Sequence, residues 1–392
     1  MPVSGAVRRP RRALIVSAEI GEGHNAAARA LAEAVPRAWP GCEVGWLDAL
    51  ETVGPRFARL ARRFYVTQVQ STPGMYEFFF TAMWRHRWYL KATRRGMGAL
   101  FGRAMAPRIG AFAPEVVMST YPLASAGLSW LRRRGKLPGR AGAWVPAFCP
   151  HPSWLYPDLD RTYVMHPLAA RAAEQAEPGM RLAVGALPVR DGFAPVPPAR
   201  QARARALLGL AADRFTVLVS TGSLGFGQVE RTVAAILAAG PGLGVIAVCG
   251  RNENLRRRLA SQGREPGRLR IVGWTDDMPA MMAAADLVVT NGGGGTALEA
   301  IASARPVVIT DPLPGHGRAN ARLMAAAGLA LLAPTAGELT EAVRRLAGDP
   351  GAMAALAAVA GARAAQRRRE DDLAELVSTS PGDARCPPRA QP

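Results

Sequence analysis

The most informative segment of the chain is Asp286-Leu-Val-Val-Thr-Asn-Gly-Gly-Gly-Gly-Thr-Ala-Leu-Glu299. Its apolar residues 287–291 predict a buried strand, and a helix is predicted from Thr296. The glycines between them let the backbone approach a ligand closely, because glycine has no Cβ. The N–H groups at the helix start, which carry about half a positive charge, face the same space. The pattern predicts a diphosphate site, with Glu299 one turn further on as an acceptor for both hydroxyls of a ribose.

Another interpretation of this stretch is purely structural: the glycines form a tight turn and Glu299 is a solvated helix residue. A run of glycines at a strand-to-helix junction, Gly292 to Gly295, disfavours that interpretation. The spacing also differs from the G-x-G-x-x-G fingerprint of dinucleotide-binding proteins, so a dehydrogenase is disfavoured.

A second strand-turn-helix unit stands near the start of the chain. Residues 12–18 are apolar and rich in β-formers, the turn Gly21-Glu22-Gly23-His24 follows, and a helix is predicted from Asn25 to about Pro36. Ligands of open α/β sheets lie at the end of the strands where this turn sits. His24 is therefore a candidate general base near neutral pH, or a hydrogen-bond donor to a phosphate. A helix-capping histidine remains the alternative.

The alternation of strands and helices runs through both halves of the chain. Further strands are predicted at 115–120, 142–148, 162–165, 215–221, 244–250, 269–272 and 306–310. Such βα repeats predict an α/β fold with a doubly wound parallel sheet in each half. The predicted divisions are a flexible N-terminus (1–11), an N-terminal domain (12–195), a linker (196–210), a C-terminal domain (211–375) and a disordered, Pro-rich tail (376–392).

His151 follows the predicted strand 142–148 and is the second candidate for a base, since it belongs to the same sheet edge as His24. A structural role, with the ring packed between Pro150 and Pro152, fits the sequence equally well.

The positive charge of the chain, +19 in all, is concentrated in its first half. Residues 1–195 carry 26 basic and 13 acidic side chains, a net charge of +13. Between Arg56 and Arg108, eleven Lys or Arg and a single acid, Glu77, are interleaved with aromatic residues. This mixture suits an anionic membrane interface. The candidate contacts are Arg62, Arg63, Trp84, Arg85, Trp88, Arg94 and Arg95.

Two alternatives stay open for this basic aromatic segment. One is that its helices present a solvated surface with the aromatic residues in the core, and the other is that the basic face binds nucleic acid. Against nucleic acid, the chain has no RNA-binding signature and no basic recognition helix, so no nucleic-acid partner is expected.

The remaining composition excludes several classes of protein. The four cysteines lie far apart without a C-x-x-C pair, and there is no H-E-x-x-H motif, so neither a metal site nor any other cofactor is predicted. No apolar run reaches the roughly 18 to 20 residues of a membrane span. We therefore expect a cytoplasmic protein, or one held at the inner face of the cell membrane; the oligomeric state is left open.

Taken together, these segments resemble the diacylglycerol glycosyltransferase family, which includes monogalactosyldiacylglycerol synthases and bacterial processive glucosyltransferases. Its C-terminal domain is similar to that of the N-acetylglucosaminyl transferase of peptidoglycan synthesis. The resemblance spans about residues 12–365 and is carried by residues 17–28, 185–190, 248–252, 273–278 and 286–299.

This resemblance implies a GT-B fold: two Rossmann-like doubly wound domains facing an interdomain cleft. It further implies an inverting, metal-independent transfer of a hexose from a UDP-sugar to a lipid acceptor, diacylglycerol in the first instance. His24 corresponds to the catalytic base and Glu299 to the ribose contact. The remaining expected donor contacts are Gly21, Gly23, Gly222, Ser223, Arg251, Gly273, Trp274, Thr275, Gly292, Gly293, Gly294, Gly295, Thr296, His316 and Asn320.

The sequence departs from the family pattern in three places. Gly315-His316-Gly317-Arg318 replaces the G-Q-E of the sugar-selecting loop, although Asn320 is retained. Glu22 stands where the family has a second glycine, and Ala147 or Cys149 where many members have an acid. Galactose, glucose and N-acetylglucosamine all remain open as the sugar. Another acceptor, a sugar-nucleotide epimerase of the same fold and a non-catalytic member remain open as alternatives.

Overall fold

A computed structural model describes residues 9–261, 267–292 and 294–378 of the chain. Residues 1–8 of the predicted flexible N-terminus, Gly293 of the glycine turn and the predicted tail beyond residue 378 lie outside the described residues.

The first half of the chain forms a six-stranded parallel sheet with the strand order β2-β1-β3-β4-β5-β6. Its strands are β1 (Arg12–Ser17), β2 (Glu43–Asp48), β3 (Val116–Ser119), β4 (Arg140–Trp144), β5 (Arg161–Val164) and β6 (Leu182–Val184). Its helices are α1 (Glu22–Ala38), α2 (Ala49–Val53), α3 (Pro55–Ser71), α4 (Pro73–Arg85), α5 (Arg87–Phe112), α6 (Pro122–Arg132) and α7 (Pro167–Ala176), with a 3₁₀ turn at Pro152–Trp154.

The second half forms another six-stranded parallel sheet, in the order β12-β11-β10-β7-β8-β9. Its strands are β7 (Phe215–Ser220), β8 (Leu243–Val248), β9 (Leu269–Val272), β10 (Leu287–Thr290), β11 (Val307–Ile309) and β12 (Leu331–Leu332). The remaining helices are α8 (Pro198–Leu208), α9 (Val229–Ala238), α10 (Glu253–Ala260), α11 (Met278–Ala284), α12 (Gly294–Ala302), α13 (His316–Ala326), α14 (Ala336–Gly348), α15 (Pro350–Ala365) and α16 (Arg369–Ser378).

The central strands of both sheets are buried on both faces, because helices cover each side. Alternate residues of β7 point into different cores: Leu218 packs with the cluster that includes Met282 and Ile301, whereas Val217 and Val219 pack with the cluster that includes Val233. This two-sided burial explains why the predicted strands are short continuous apolar runs. The predicted doubly wound α/β architecture is confirmed in both halves.

Several predicted boundaries differ from the structure. Helix α1 begins at Glu22 rather than Asn25 and continues through Pro36 to Ala38, and α12 begins at Gly294 rather than Thr296. The predicted strand 142–148 ends as β4 at Trp144. Strand β2 is absent from the predicted strands because it is a partly exposed edge strand whose ends are charged, and such a strand lacks an unbroken apolar run.

Two helices, α8 and α16, lie at the junctions between the halves. Within the predicted linker 196–210, helix α8 packs on α11, and Arg205 pairs with Asp286 at 2.5 Å. At the other end, α16 returns to the first sheet, where Leu373 and Leu376 join the core around Trp144. The predicted boundary at residue 375 is therefore wrong: residues 376–378 of the predicted disordered tail complete α16, which packs with the other half.

The halves also meet directly at the glycine turn of α12. A Cβ built on Gly294 would lie 2.2 Å from the carbonyl oxygen of Pro146, in the segment after β4, so only glycine fits at this point. A Cβ on the next residue, Gly295, would reach the Cα of Gly23 at 3.5 Å. The first turns of α1 and α12 therefore face each other across the junction.

Replacing Gly294 by alanine should destabilise the protein by roughly 1–3 kcal/mol, because the new methyl group overlaps the Pro146 carbonyl and the halves must separate to relieve the overlap. Thermal unfolding measures the loss. The matched control is Gly337→Ala in α14, where a Cβ meets nothing within 4 Å and alanine favours the helix. An unchanged melting temperature for Gly294→Ala would contradict the contact.

Candidate active site

A cleft of about 820 Å³ lies between the carboxyl ends of the two sheets. It is lined by the segments that follow β1, β3 and β4 in the first half and β7, β8, β9 and β10 in the second. The predicted residues that it brings together are Gly21, Gly23, His24, His151, Gly222, Ser223, Arg251, Trp274, Thr275, Gly294, Gly295, Thr296, Glu299, His316 and Asn320. The described residues Gly273 and Gly292 lie outside the lining, and Gly293 lies outside the described residues.

His24 is held in one orientation by the end of the neighbouring strand β3. Its Nδ1 lies 2.7 Å from the carbonyl oxygen of Thr120, and the Thr120 hydroxyl donates to the His24 carbonyl at 3.0 Å. A carbonyl oxygen only accepts, so Nδ1 carries the ring proton and donates it. The other nitrogen, Nε2, is thereby left with a free lone pair, as a base requires.

Aromatic side chains surround the His24 ring. Tyr121 meets it edge-on at 5.2 Å between ring centroids, and Trp154 lies at 5.7 Å. Burial in this environment lowers the pKa of His24 to about 4, although the hydrogen bond to Thr120 opposes the shift. The ring is therefore neutral at physiological pH and able to accept a proton.

His151, the second candidate base, has both ring nitrogens engaged. Its Nε2 donates to the carbonyl oxygen of Phe80 at 3.0 Å, and its Nδ1 accepts from the Ser153 backbone N–H at 3.2 Å with the Ser153 hydroxyl at 2.7 Å. The ring also stacks on Phe80 at 4.1 Å. These contacts favour the alternative, structural role of His151. The ring connects α4 to the segment after β4.

The start of α12 presents its first residues to the cleft, namely Gly294, Gly295 and Thr296. Gly292 instead turns the chain tightly against α13, because its φ is +78° and the Gly317 carbonyl lies 2.7 Å from where a Cβ would be. Its own carbonyl accepts a hydrogen bond from Asn320 at 3.1 Å. The residues whose N–H groups could meet an anion are therefore those at the start of α12, not Gly292.

Glu299 lies one turn inside α12 and lines the cleft. Burial raises its pKa to about 7, and Arg190 and Arg29 limit the rise. The carboxyl group consequently changes its charge near neutral pH. Its strength as an acceptor of hydroxyl hydrogen bonds therefore changes with pH, because the ionised carboxylate is the stronger acceptor.

On the outer side of the cleft, Arg251 covers Trp274. The guanidinium carbon lies 3.8 Å from the centroid of the indole ring, which fixes a flat aromatic platform next to Thr275. Arg251 also lies 3.7 Å from Glu22, which pairs in turn with Arg29. The glutamate that replaces a family glycine thus sits between cations of both halves.

Asn320 is fully buried and bridges the halves through its side-chain amide. Its oxygen accepts from the Cys149 backbone N–H at 2.7 Å, and its nitrogen donates to the Gly292 carbonyl. The amide therefore braces the cleft. One turn before it on α13, His316 is half-buried, and Tyr76 of α4 contacts its Nδ1 at 2.8 Å.

The predicted membrane contacts in the basic aromatic segment, residues 56–108, fall into two groups: arginines that are paired with acidic side chains, and residues that are exposed to solvent. Arg62 pairs with Glu51 at 2.9 Å and Glu19 at 3.2 Å, and Arg94 pairs with Glu177 at 2.6 Å while covering Tyr156. Both side chains are partly buried and held by acidic partners, with 28% of Arg62 and 16% of Arg94 exposed, so they are less available for a membrane contact than the sequence predicts. The other five predicted contacts are exposed or partly exposed: Arg63, Trp84, Arg85, Trp88 and Arg95.

Sequence patterns alone missed Thr120, Tyr121, Trp154 and Tyr76, which surround two of the cleft histidines, His24 and His316. The first two directly follow β3, and their position after a strand was the signal available. Trp154 and Tyr76 come from a 3₁₀ turn and from α4, and nothing in their sequence spacing ties them to the cleft.

The described residues show neither a metal-binding cluster nor a membrane-spanning helix. Among residues 9–261, 267–292 and 294–378, no group of three or more His, Cys, Asp or Glu side chains is arranged to hold a metal ion. Over the same residues, no helix combines the length and apolarity that crossing a bilayer requires.

Comparison with known protein families matches the two halves separately. Residues 24–180 match the family model for monogalactosyldiacylglycerol (MGDG) synthase, and residues 216–372 match the model for the glycosyltransferase family 28 C-terminal domain. Both matches confirm the resemblance on which the sequence motifs converge.

Individual relatives agree with the family models. A probable chloroplastic monogalactosyldiacylglycerol synthase of Nicotiana tabacum is 27% identical over 338 residues, which cover 79% of this chain and 60% of the tobacco protein. A processive diacylglycerol beta-glucosyltransferase of Staphylococcus carnosus is 34% identical over 146 residues, 37% of either chain. The match thus spans less than two thirds of each of these two relatives.

Among solved structures, an Anabaena protein crystallised in complex with UDP aligns with a TM-score of 0.55 at 16% identity, covering 94% of this chain and 99% of that one. The likeness confirms the predicted GT-B fold.

Proposed function

We propose that the chain transfers a hexose from a UDP-sugar to a lipid acceptor, with diacylglycerol the first candidate, because its two halves match the models for MGDG synthase and for the glycosyltransferase family 28 C-terminal domain. The observation that carries this proposal is the position of His24, with a free Nε2 lone pair, opposite the first turn of α12 in one cleft. A base and an anion site on opposing walls are the two groups that such a transfer needs.

In the proposed complex, the donor binds against the second half of the chain. The diphosphate lies at the N–H groups of residues 294–296, where the helix end favours negative charge. The ribose hydroxyls donate to Glu299, and the uracil lies beside Thr275 and the Trp274 platform. Neutralisation of departing UDP by the helix end is the reason we propose that no metal ion is required.

The acceptor hydroxyl attacks the anomeric carbon from the side of His24. As the new C–O bond forms and the bond to the diphosphate breaks, Nε2 takes the hydroxyl proton, while Nδ1 keeps its own proton and donates it in a hydrogen bond to the Thr120 carbonyl oxygen. The resulting imidazolium is stabilised by that carbonyl. Attack opposite the leaving group inverts the configuration at the anomeric carbon.

His24→Ala should lower transfer of radiolabelled hexose from a UDP-sugar to membrane lipid extract by about 10² to 10⁴-fold, the usual contribution of a general base. In the intact protein, kcat at saturating donor should stay level from about pH 8 to pH 5, because burial lowers the pKa of His24 to about 4. EDTA should not reduce it.

The matched control is His86→Asn, an exposed ring between α4 and α5. Full turnover by His24→Ala would remove the base assignment. In a thermal-shift series, stabilisation of the wild type by a non-uridine nucleoside diphosphate alone would overturn the proposed donor. Turnover of the UDP-sugar without any acceptor would point to an epimerase.

Glu299→Gln should weaken UDP binding by about tenfold or more, since hydrogen bonds to a charged group contribute about 1.5–3 kcal/mol. Wild-type affinity should also rise as pH increases through 7, because the pKa of Glu299 is raised to about 7 and the carboxylate is the better acceptor. Calorimetry at several pH values measures both effects.

The Gln variant separates this step from titration of UDP itself, because any pH dependence that remains in the variant belongs to the nucleotide. Glu341→Gln, on the exposed side of α14, is the control. Equal affinity and an equal pH profile for Glu299→Gln would exclude the ribose contact.

For the acceptor side, we propose that α3, α4 and the start of α5 rest on the inner face of the cell membrane. Apolar side chains there face solvent, among them Phe78 at 67% and Trp88 at 72% exposure. Basic residues with exposed or partly exposed side chains surround them: Arg56, Arg59, Arg63, Arg85, Arg87, Lys91 and Arg95. Near an anionic leaflet, each contributes about 1 kcal/mol.

The wild type should co-sediment with vesicles containing anionic lipid at low salt, and Phe78→Ser with Trp88→Ser should abolish most of this binding. Leu207→Ser is the control, since Leu207 is 75% exposed on α8 and distant in sequence from the segment. Absence of wild-type binding at low salt, or binding to DNA without binding to vesicles, would refute the membrane proposal.

A further inference from the structure

Tyr76 of α4 reaches across the junction between the halves and contacts the start of α13. Its hydroxyl oxygen lies 2.8 Å from Nδ1 of His316, and the two rings meet edge-on at 5.8 Å. Both side chains line the cleft. The contact joins a helix of the basic aromatic segment to the loop in which this chain departs from its family.

The hydrogen bond sets the position of the proton on His316. Among the described residues, Nδ1 of His316 is the one hydrogen-bond partner that the structure gives the Tyr76 hydroxyl. Burial raises the pKa of Tyr76 and lowers that of His316 to about 4, so both groups are neutral at pH 7. Of these two groups a phenol hydroxyl is the stronger donor and an imidazole nitrogen the stronger acceptor, so Tyr76 donates to Nδ1. The ring proton then resides on Nε2.

Two neighbouring contacts keep α4 against this loop. Glu77 pairs with Arg318 at 2.6 Å, and a Cβ on Gly315 would lie 3.1 Å from the Phe80 ring. His316 is also close enough to His24 for the one to affect the pKa of the other. His316 and His24 therefore lie in the same cleft.

We propose that Tyr76 is a positioning residue for the donor sugar, whose hydroxyl fixes His316 so that its Nε2–H donates to a hydroxyl of the bound hexose. The inference rests on the proposed function and deepens it: sugar recognition by this cleft is shared between the halves, and part of it comes from α4. His316 thus provides a hydrogen-bond donor in the loop where the family's usual G-Q-E is replaced.

The test compares UDP with UDP-galactose, UDP-glucose and UDP-N-acetylglucosamine by equilibrium binding without acceptor. In Tyr76→Phe, UDP should bind as in the wild type, because residues 294–296 and Glu299 are untouched. The preferred UDP-sugar should lose about tenfold in affinity, and discrimination among the three sugars should narrow. Tyr156→Phe, which also removes a buried phenol hydroxyl but lies outside the cleft lining, should change neither property.

A double-mutant cycle separates positioning from general loosening of the cleft. His316→Ala should lose the sugar contact, and Tyr76→Phe in that background should cause no further loss, because Tyr76 acts through His316. Additive losses, or a Tyr76→Phe variant with wild-type sugar discrimination, would overturn the proposal. Failure of the wild type to transfer any hexose would instead contradict the proposed function, and the binding comparison would still decide the role of Tyr76.

Discussion

The backbone contact between Gly294 and the Pro146 carbonyl is the constraint on which the cleft depends. Because residue 294 has no side chain, the start of α12 reaches the segment after β4, and the next glycine comes next to Gly23. The first turns of two helices, one from each half, then open onto the same volume. Positions from opposite ends of the sequence become the two walls of one site for this reason.

Burial has opposite effects on the pKa values of two titratable groups, one on each wall. It lowers the pKa of His24 to about 4 and raises that of Glu299 to about 7, because a low-dielectric environment disfavours the charged form of either group. The base therefore remains unprotonated at physiological pH, and the acid is poised between its two forms.

Helix α4 changes the interpretation of the basic aromatic segment. One of its faces turns toward the cleft, where Tyr76 and Phe80 meet the loop of His316 and the ring of His151. Phe78 lies on the exposed side. The same helix is thus a wall of the donor site and part of the apolar surface, and the two alternatives drawn from composition, core packing and membrane contact, each describe one face of it.

The architecture follows from the order of residues alone, because alternating apolar strands and helices with glycine turns have few compact solutions other than doubly wound sheets. The local strand-turn-helix order also predicts that His24 and Glu299 lie at the carboxyl edges of the sheets, and both line the cleft. Side-chain pairings in the cleft depend instead on contacts between segments that are distant in the chain, and these contacts appear first in the folded structure. The carbonyl of Thr120 selects the tautomer of His24, the carbonyl of Phe80 accepts from Nε2 of His151, and Glu19 and Glu177 pair with Arg62 and Arg94. No local pattern encodes such pairings, because each partner is brought into place by the packing of an element remote in the chain.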